Sequence, residues 1–317
     1  MAKRVYKKKA TAISSIVSSL GIKDELSVKI PEVKPPVVKK DNMMKTSSFI
    51  TLKGFFKVHR GNYEFLKRNI EKKKSTMMVG PTGVGKTELV AHICDELKIP
   101  LNIFDMGTMT DPISSLVGSH IIKVVDGKTL SHFEKSRFSK IIQQPGVVLL
   151  DELPRANVQA NNLLFPCLDF RRSLSMEYSF DDTEPVKIHP DCCFLATANV
   201  GSQYTGSHKL DRALIDRFML MEIDPLEKGQ AKDIIKFHFP KMPAVQLNKI
   251  IDCFFDINAA HATYDISFNL SFRHLNDVAS LVNDGFTIYD SFFTICKGIG
   301  STEGTKALES ILNKTHE

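Results

Sequence analysis

The residues able to do chemistry gather in two short stretches. The first reads Gly80-Pro81-Thr82-Gly83-Val84-Gly85-Lys86-Thr87, followed by Glu88, and fits the pattern G-x-x-x-x-G-K-[ST]. Glycines let the backbone wrap a phosphate and turn its N–H groups inward. A helix opening near Lys86 would present its positive end to the same anion. Lys86 can then reach the β- and γ-phosphates of a nucleoside triphosphate, and the Thr87 hydroxyl can ligate Mg²⁺. Residues 80–88 are therefore the expected nucleotide cradle. The second stretch is Val147-Val148-Leu149-Leu150-Asp151-Glu152. Its four apolar residues suit a buried strand that ends in two carboxylates. Asp151 is expected to hold the Mg²⁺ through its water shell, and Glu152 to orient and polarise the attacking water. An apolar run ending in Asp-Glu is common on its own. Placed after the glycine-rich loop in one fold, it points to triphosphate hydrolysis.

The elements that must position these residues follow from periodicity. Residues 61–73 read as a charged helix, and Ser75–Val79 as a short apolar strand entering the glycine turn. Glu88–Leu97 has helical spacing at Leu89, Ile93 and Leu97. Leu101–Met106 is a strand candidate, and Asp126-Gly127 signals a hairpin over 121–130. Phe133–Gln144 reads as a helix stopping before Pro145, and Ala156–Phe170 as another. Ser173–His189 suits two short strands around Asp181-Asp182. Gly146–Leu150, Cys192–Thr197 and Phe218–Ile223 read as buried strands, and the side chains of Cys192 and Cys193 should point to opposite faces. Short apolar strands alternating with helices predict an α/β fold: a P-loop, three-layer domain with a parallel sheet. After Pro225 the strand pattern ends, and 228–315 reads as several helices in a small all-helical domain. The expected division is a basic arm over 1–45, the α/β domain over 46–225 and the helical domain over 226–317.

Composition narrows the remaining classes. The chain has 317 residues, 43% hydrophobic and 25% charged, an ordinary globular balance. It holds no run of 18 apolar residues, so no membrane span is expected. The basic start is followed by no apolar signal core, and a cytoplasmic protein is expected. Six cysteines lack metal-ligand spacing and read as reduced, buried thiols. Ten histidines show no H-E-x-x-H spacing, so zinc is not expected. Residues 1–75 carry 19 lysines and arginines against six carboxylates, whereas the rest of the chain is net acidic. The proline-containing arm over 1–45 reads either as a solvated tail or as a docking arm for nucleic acid or an acidic partner.

With both stretches in place, the chain resembles the AAA+ ATPases. Phe194-Leu-Ala-Thr-Ala-Asn199 is similar to that family's sensor 1 strand, which implies that Asn199 lies near the γ-phosphate and the water. Lys209-Leu-Asp-Arg212-Ala-Leu-Ile-Asp-Arg217-Phe218 is similar to the segment carrying the arginine finger, with Arg217 the better match and Arg212 the second. A surface ion pair with Asp211 or Asp216 is the competing reading of Arg217. Leu270-Ser-Phe-Arg273-His-Leu resembles sensor 2, so Arg273 would reach back to the nucleotide from a helical lid. Thr108–Gly118, Asp151–Asn157 and Asn162–Asp169 resemble MoxR-type and dynein-related members. The segment 171–191 is similar to the hairpin those proteins insert beside helix 2, and Asn199–Gly206 is similar to the ATPase subunit of cobalt chelatase. The loop pattern serves ATP and GTP alike; the resemblance implies ATP with Mg²⁺. It also implies a homo-oligomeric ring, expected to be a hexamer, whose arginine finger enters the neighbouring subunit's site. The partner implied is a protein to be remodelled, often one with a von Willebrand A domain. A nucleic-acid motor using the basic arm is the alternative.

Overall fold

Apolar runs bounded by glycine, proline and lysine-rich turns become the strands. β1 (Phe49–Leu52) and β2 (Phe56–His59) form a hairpin ahead of helix α1 (Arg60–Glu71). β3 (Thr76–Gly80) enters the glycine loop, and α2 (Lys86–Leu97) leaves it. Then come β4 (Leu101–Asp105), the hairpin β5 (Gly118–Val125) and β6 (Lys128–Lys135), α3 (Arg137–Ile141), β7 (Gly146–Asp151) and α4 (Val158–Leu168). A two-residue pair, β8 (Ser173–Leu174) with β9 (Val186–Lys187), precedes β10 (Cys192–Asn199), α5 (Arg212–Ile215) and β11 (Met219–Glu222). This computed structural model describes residues 49–53, 56–125, 128–177, 179, 184–199, 211–263, 266–299 and 305–313, all within the compact unit Ser47–Glu317. The basic arm 1–45, Asp126-Gly127, Asp181-Asp182 and 200–206 lie outside the described residues.

The central sheet is parallel, with strand order β11, β3, β10, β7, β4. β10 enters last but one and lies between β3 and β7, so three carboxyl ends sit side by side. Asn199 is level with Gly80, and Ala196 with Leu150. Ligands in open parallel sheets bind outside these ends, where the strand order reverses. Here the reversal falls at β3.

Alternation along the strands loads both faces. Met78, Val147, Leu149, Cys193 and Leu195 pack with Leu66 and Ile70 of α1 and with Leu89 and Ile93 of α2. Met77, Val148, Leu150, Cys192 and Phe194 pack with Phe138 of α3 and Leu164 of α4. Cys192 and Cys193 thus enter opposite cores, and all six cysteines are buried free thiols. Each fully buried aliphatic side chain contributes about 1.5–3 kcal/mol, which fixes the strand ends to which the polar residues are attached.

Two expectations are corrected. Phe133–Gln144 is not one helix. β6 continues through Lys135, paired with Gly118, and Ser136 caps a five-residue helix by accepting from Ser139 N at 3.0 Å. Nor is 218–223 a buried strand. β11 lies at the sheet edge, with Met219 and Leu220 exposed and Met221 turned inward.

Beyond Pro225 the described chain is helical: α6 (Lys228–His238), α7 (Ala244–Ala262), α8 (Phe272–Asn283), α9 (Ile288–Ile299) and α10 (Thr305–Asn313). These helices share a core containing Leu247, Ile250, Phe254, Leu275 and Phe292, with Phe255 and Phe293 packed partly buried against it. Phe272 also packs into the core beneath α1 and α2 and so ties the helices to the sheet. Among the described residues, no helix is long and apolar enough to cross a membrane.

Candidate active site

The loop after β3 has the conformation its glycines allow. Gly83 lies at φ 84° and Gly85, which heads α2, at φ 85°. A β-carbon on Gly83 would sit 3.2 Å from the Phe272 β-carbon and 3.4 Å from its backbone nitrogen. The glycine therefore lets the N-terminus of α8 rest against the loop, and two helix N-termini converge there. That α8 terminus is capped reciprocally. Ser271 Oγ accepts from His274 N at 3.4 Å, and His274 Nδ1 accepts from Ser271 N at 3.1 Å. Burial holds the His274 imidazole below its usual range, which favours the neutral ring that can accept.

Lys86 is buried, and its ammonium donates to Gly80 O at 3.0 Å, Pro81 O at 2.7 Å and Asn199 Oδ1 at 2.7 Å. Loss of solvation pushes its pKa down to about 8. The carboxylates of Asp151 and Glu152 oppose that shift, while the positive charge of Arg273 adds to it. Thr87 Oγ1 lies 3.4 Å from Asp151 Oδ1. A hydroxyl and a carboxylate oxygen side by side suit a hard divalent cation that completes its shell with phosphate and water oxygens.

Glu152 follows directly, in the left-handed region at φ 54° and ψ 42°. Its backbone N–H donates to Thr197 Oγ1 at 2.9 Å, and Thr197 Oγ1 donates to Asp151 Oδ1 at 2.5 Å. Its carboxylate accepts from Asn199 Nδ2 at 3.4 Å and pairs with Arg155 Nη1 at 2.8 Å. Arg155 sits on a single 3₁₀ turn, Leu153–Arg155, just after the carboxylates. A cleft of about 780 Å³ opens beside this cluster, lined by Thr82, Glu152, Arg155, Phe272 and Arg273. On another side of the loop a narrower slot of about 80 Å³ is lined by His59, Asn62, Val84, Leu89, Pro225 and Leu226.

The structure thus brings together the loop, Lys86, Thr87, Asp151, Glu152 and Asn199, with Arg273 at the cleft. Other expected residues lie elsewhere. Glu88 pairs with Lys53. Arg212 is exposed at the start of α5. Arg217 donates to Ala213 O, lies 3.8 Å from Asp169 Oδ2 and stacks over the Phe165 ring at 4.6 Å. Asp211 caps α5 through Ala213 N at 2.8 Å, so the ion-pair partner of Arg217 is Asp169 rather than Asp211 or Asp216. Sequence reasoning assigned no part to Thr197 or Arg155. The signal for Thr197 was its place two residues before Asn199, on the same side of one strand.

Fold and cluster together define a P-loop nucleotide-binding protein. Residues 75–218 match the AAA domain of the dynein-related subfamily, and the chain carries an AAA domain of that kind. It is 25% identical over 244 residues to the protein named “Putative chaperone BssE” of Thauera aromatica, covering 76% of this chain and 79% of that one. It is 27% identical over 174 residues to an uncharacterized protein of Staphylococcus epidermidis, covering 55% of this chain and 64% of that one. Among solved structures, NtrX of Brucella abortus in complex with ADP matches at a TM-score of 0.49 and 12% identity, over 71% of this chain and half of that one, 50%. The stretch similar to the cobalt chelatase subunit, 199–206, is described only at Asn199.

Proposed function

We propose that this chain hydrolyses ATP with Mg²⁺ and uses the energy, as a ring-forming motor, to remodel a protein partner. The observation that supports this most is the convergence of Lys86, Thr87, Asp151, Glu152 and Asn199 at the carboxyl ends of the adjacent strands β3, β10 and β7. Residues 80–88 and the N-terminus of α2 would cradle the phosphates, with Lys86 leaving the Gly80 and Pro81 carbonyls for phosphate oxygens. Thr87 and Asp151 would hold the Mg²⁺, which supplies charge neutralisation at the β- and γ-phosphates. Glu152 would orient and polarise the water, and Asn199, bridging Lys86 and Glu152, would register the γ-phosphate. The slot beside Val84 would receive the base. Arg273 would close the cleft from the helical region, and Arg217, or failing it Arg212, would act on the site of a neighbouring copy. A ring, six-membered by the family resemblance, follows from that last role.

The protein-remodelling part rests on the subfamily and on the designation of the Thauera relative as a chaperone. A partner with a von Willebrand A domain is the first candidate. The basic front of the chain favours a second reading, a nucleic-acid motor. That reading expects DNA-stimulated hydrolysis, with binding lost steeply in salt and on deletion of residues 1–45. The deciding experiment is phosphate release from ATP, followed by electron microscopy of Glu152→Gln with ATP. Rings and Mg²⁺-dependent release are the expected results. No release from the wild type, or particles that stay single with bound ATP, would overturn the proposal.

A further inference from the structure

We infer that Thr197 is a positioning residue that couples the metal-side carboxylate Asp151 to the water-side residue Glu152. The inference rests on the reading of those two residues given above. The Thr197 hydroxyl is buried, with 2% of the residue exposed. It has one proton to give, and a carboxylate oxygen only accepts, so the proton goes to Asp151 Oδ1 at 2.5 Å. A remaining lone pair takes the Glu152 N–H at 2.9 Å. The resulting chain runs one way: Glu152 N–H to Thr197 Oγ, then Thr197 O–H to Asp151 Oδ1. Aligned hydrogen bonds of this kind polarise one another.

Three features make the link specific. Asp151 Oδ1 also lies 3.4 Å from Thr87 Oγ1, so the oxygen that Thr197 orients is the one facing the other expected metal ligand. Partners behind a ligating carboxylate fix its rotamer and tune its affinity. Glu152 occupies a left-handed backbone position at φ 54°, which a non-glycine residue adopts only when its surroundings hold it. The Thr197 hydroxyl holds its N–H. Finally, Thr197 lies one residue beyond the Ala196–Leu150 pairing, directly across from Asp151, and its branched β-carbon restricts the hydroxyl to few rotamers. A shift of Asp151 on binding metal would therefore be felt at the Glu152 backbone, and through it at a carboxylate already held by Asn199 and Arg155.

The test uses the full chain and a fluorescent N-methylanthraniloyl-ADP, titrated with Mg²⁺, in wild type, Thr197→Val, Thr197→Ser and Thr197→Cys. Wild type should bind the nucleotide more tightly as Mg²⁺ is added. Thr197→Val and Thr197→Cys should raise the Mg²⁺ midpoint about 10-fold, the usual loss when a partner behind a metal ligand is removed. Thr197→Ser keeps the hydroxyl and should stay within about threefold of wild type. Affinity in EDTA should be the same for all four. If thermal melting shows that the valine variant does not fold, the serine and cysteine variants decide, since they match in size and differ in donor strength. A wild-type midpoint in the cysteine variant overturns the inference, as does an equal loss in EDTA, which would mark a packing role alone. A wild type that binds nucleotide with no Mg²⁺ dependence removes this inference together with the assigned metal ligands. A wild type that binds no nucleotide defeats the proposed function itself.

Discussion

The cluster at Lys86 and the cluster at Arg217 solve the same problem, holding a charged side chain, in opposite ways. Lys86 is buried and tied to parts of the chain that lie far apart in sequence, up to Asn199 on β10. Its partners are polar groups at strand ends, and burial costs it enough to bring its pKa to about 8. Arg217 is held more loosely: by the Ala213 carbonyl, by the Phe165 ring and by a long pair with Asp169, whose nearer partner is Arg171 at 2.5 Å. Its Nε is buried without a hydrogen-bond partner among the described residues. A cluster whose members satisfy one another suits work inside one chain. An arginine held by a ring and a distant carboxylate keeps hydrogen-bonding capacity that another molecule could take up.

The strongest way to break this contrast is Arg217→Ala. If the arginine completes a neighbour's site, turnover should fall by about 10³-fold or more, the usual size of an arginine-finger loss. Nucleotide affinity should hold. Mixing this variant with Lys86→Ala, itself inactive, should restore part of the turnover, because one interface then has both groups. Mixtures as dead as their components would place Arg217 outside any shared site. Next in size is Glu152→Gln. It keeps the shape and the Arg155 contact but cannot polarise water as a base, so kcat should drop by about 10²- to 10³-fold with binding retained. Turnover at the normal rate in single-turnover assays would show that another group handles the water.

Much of the Lys86 side was legible from residues alone, and little of the Arg217 side. The loop needed glycines at fixed places, and β7 needed four consecutive apolar residues because it is covered on both faces. Those needs leave marks in local sequence. Thr197 left only its place two residues before Asn199, because its partners Asp151 and Glu152 are brought to it by the insertion of β10 between β3 and β7, a long-range pairing. Arg155 lies three residues after its partner Glu152, a spacing that does not set it apart from an ordinary surface ion pair. Asp169 lies 48 residues from Arg217, so the nearer Asp211 and Asp216 were the natural guesses. The helix expected over 133–144 failed for a local reason. Phe133 belongs to the alternating strand β6, and Ser136, a good helix cap, already marked the true start.

The third test sharpens the Lys86 side through pH. A lysine with pKa about 8 in the free protein is half neutral at pH 8, and bound phosphate would hold it charged. Nucleotide affinity should therefore be flat up to pH 7 and about tenfold weaker at pH 9. Lys86→Arg should flatten the profile, even if it binds less well. Folding responds with the opposite sign. The unfolded chain holds this proton up to about pH 10.5 and the folded one only to about 8, so the burial penalty is fully present below pH 8 and fades as pH rises between the two values. Calorimetric affinity unchanged between pH 7 and 9 would mean the ammonium is better solvated than its three contacts imply.

The smallest effect should come from Asp169→Asn, and it tests what the looseness of the Arg217 anchor is for. The substitution keeps an oxygen for the Arg171 backbone N–H, which now donates to Asp169 Oδ1 at 2.9 Å, and removes the charge that faces Arg217 at 3.8 Å. A partly exposed pair at that distance contributes up to about 1 kcal/mol, so turnover should change by about threefold at low ionic strength. Salt should erase the difference, since screening acts on long, exposed pairs first. Affinity for nucleotide in the isolated chain should not move, because Asp169 touches nothing at the Lys86 cluster. A loss of affinity equal to the loss of turnover would mean that the two clusters communicate within one chain, and the division between them would have to be abandoned.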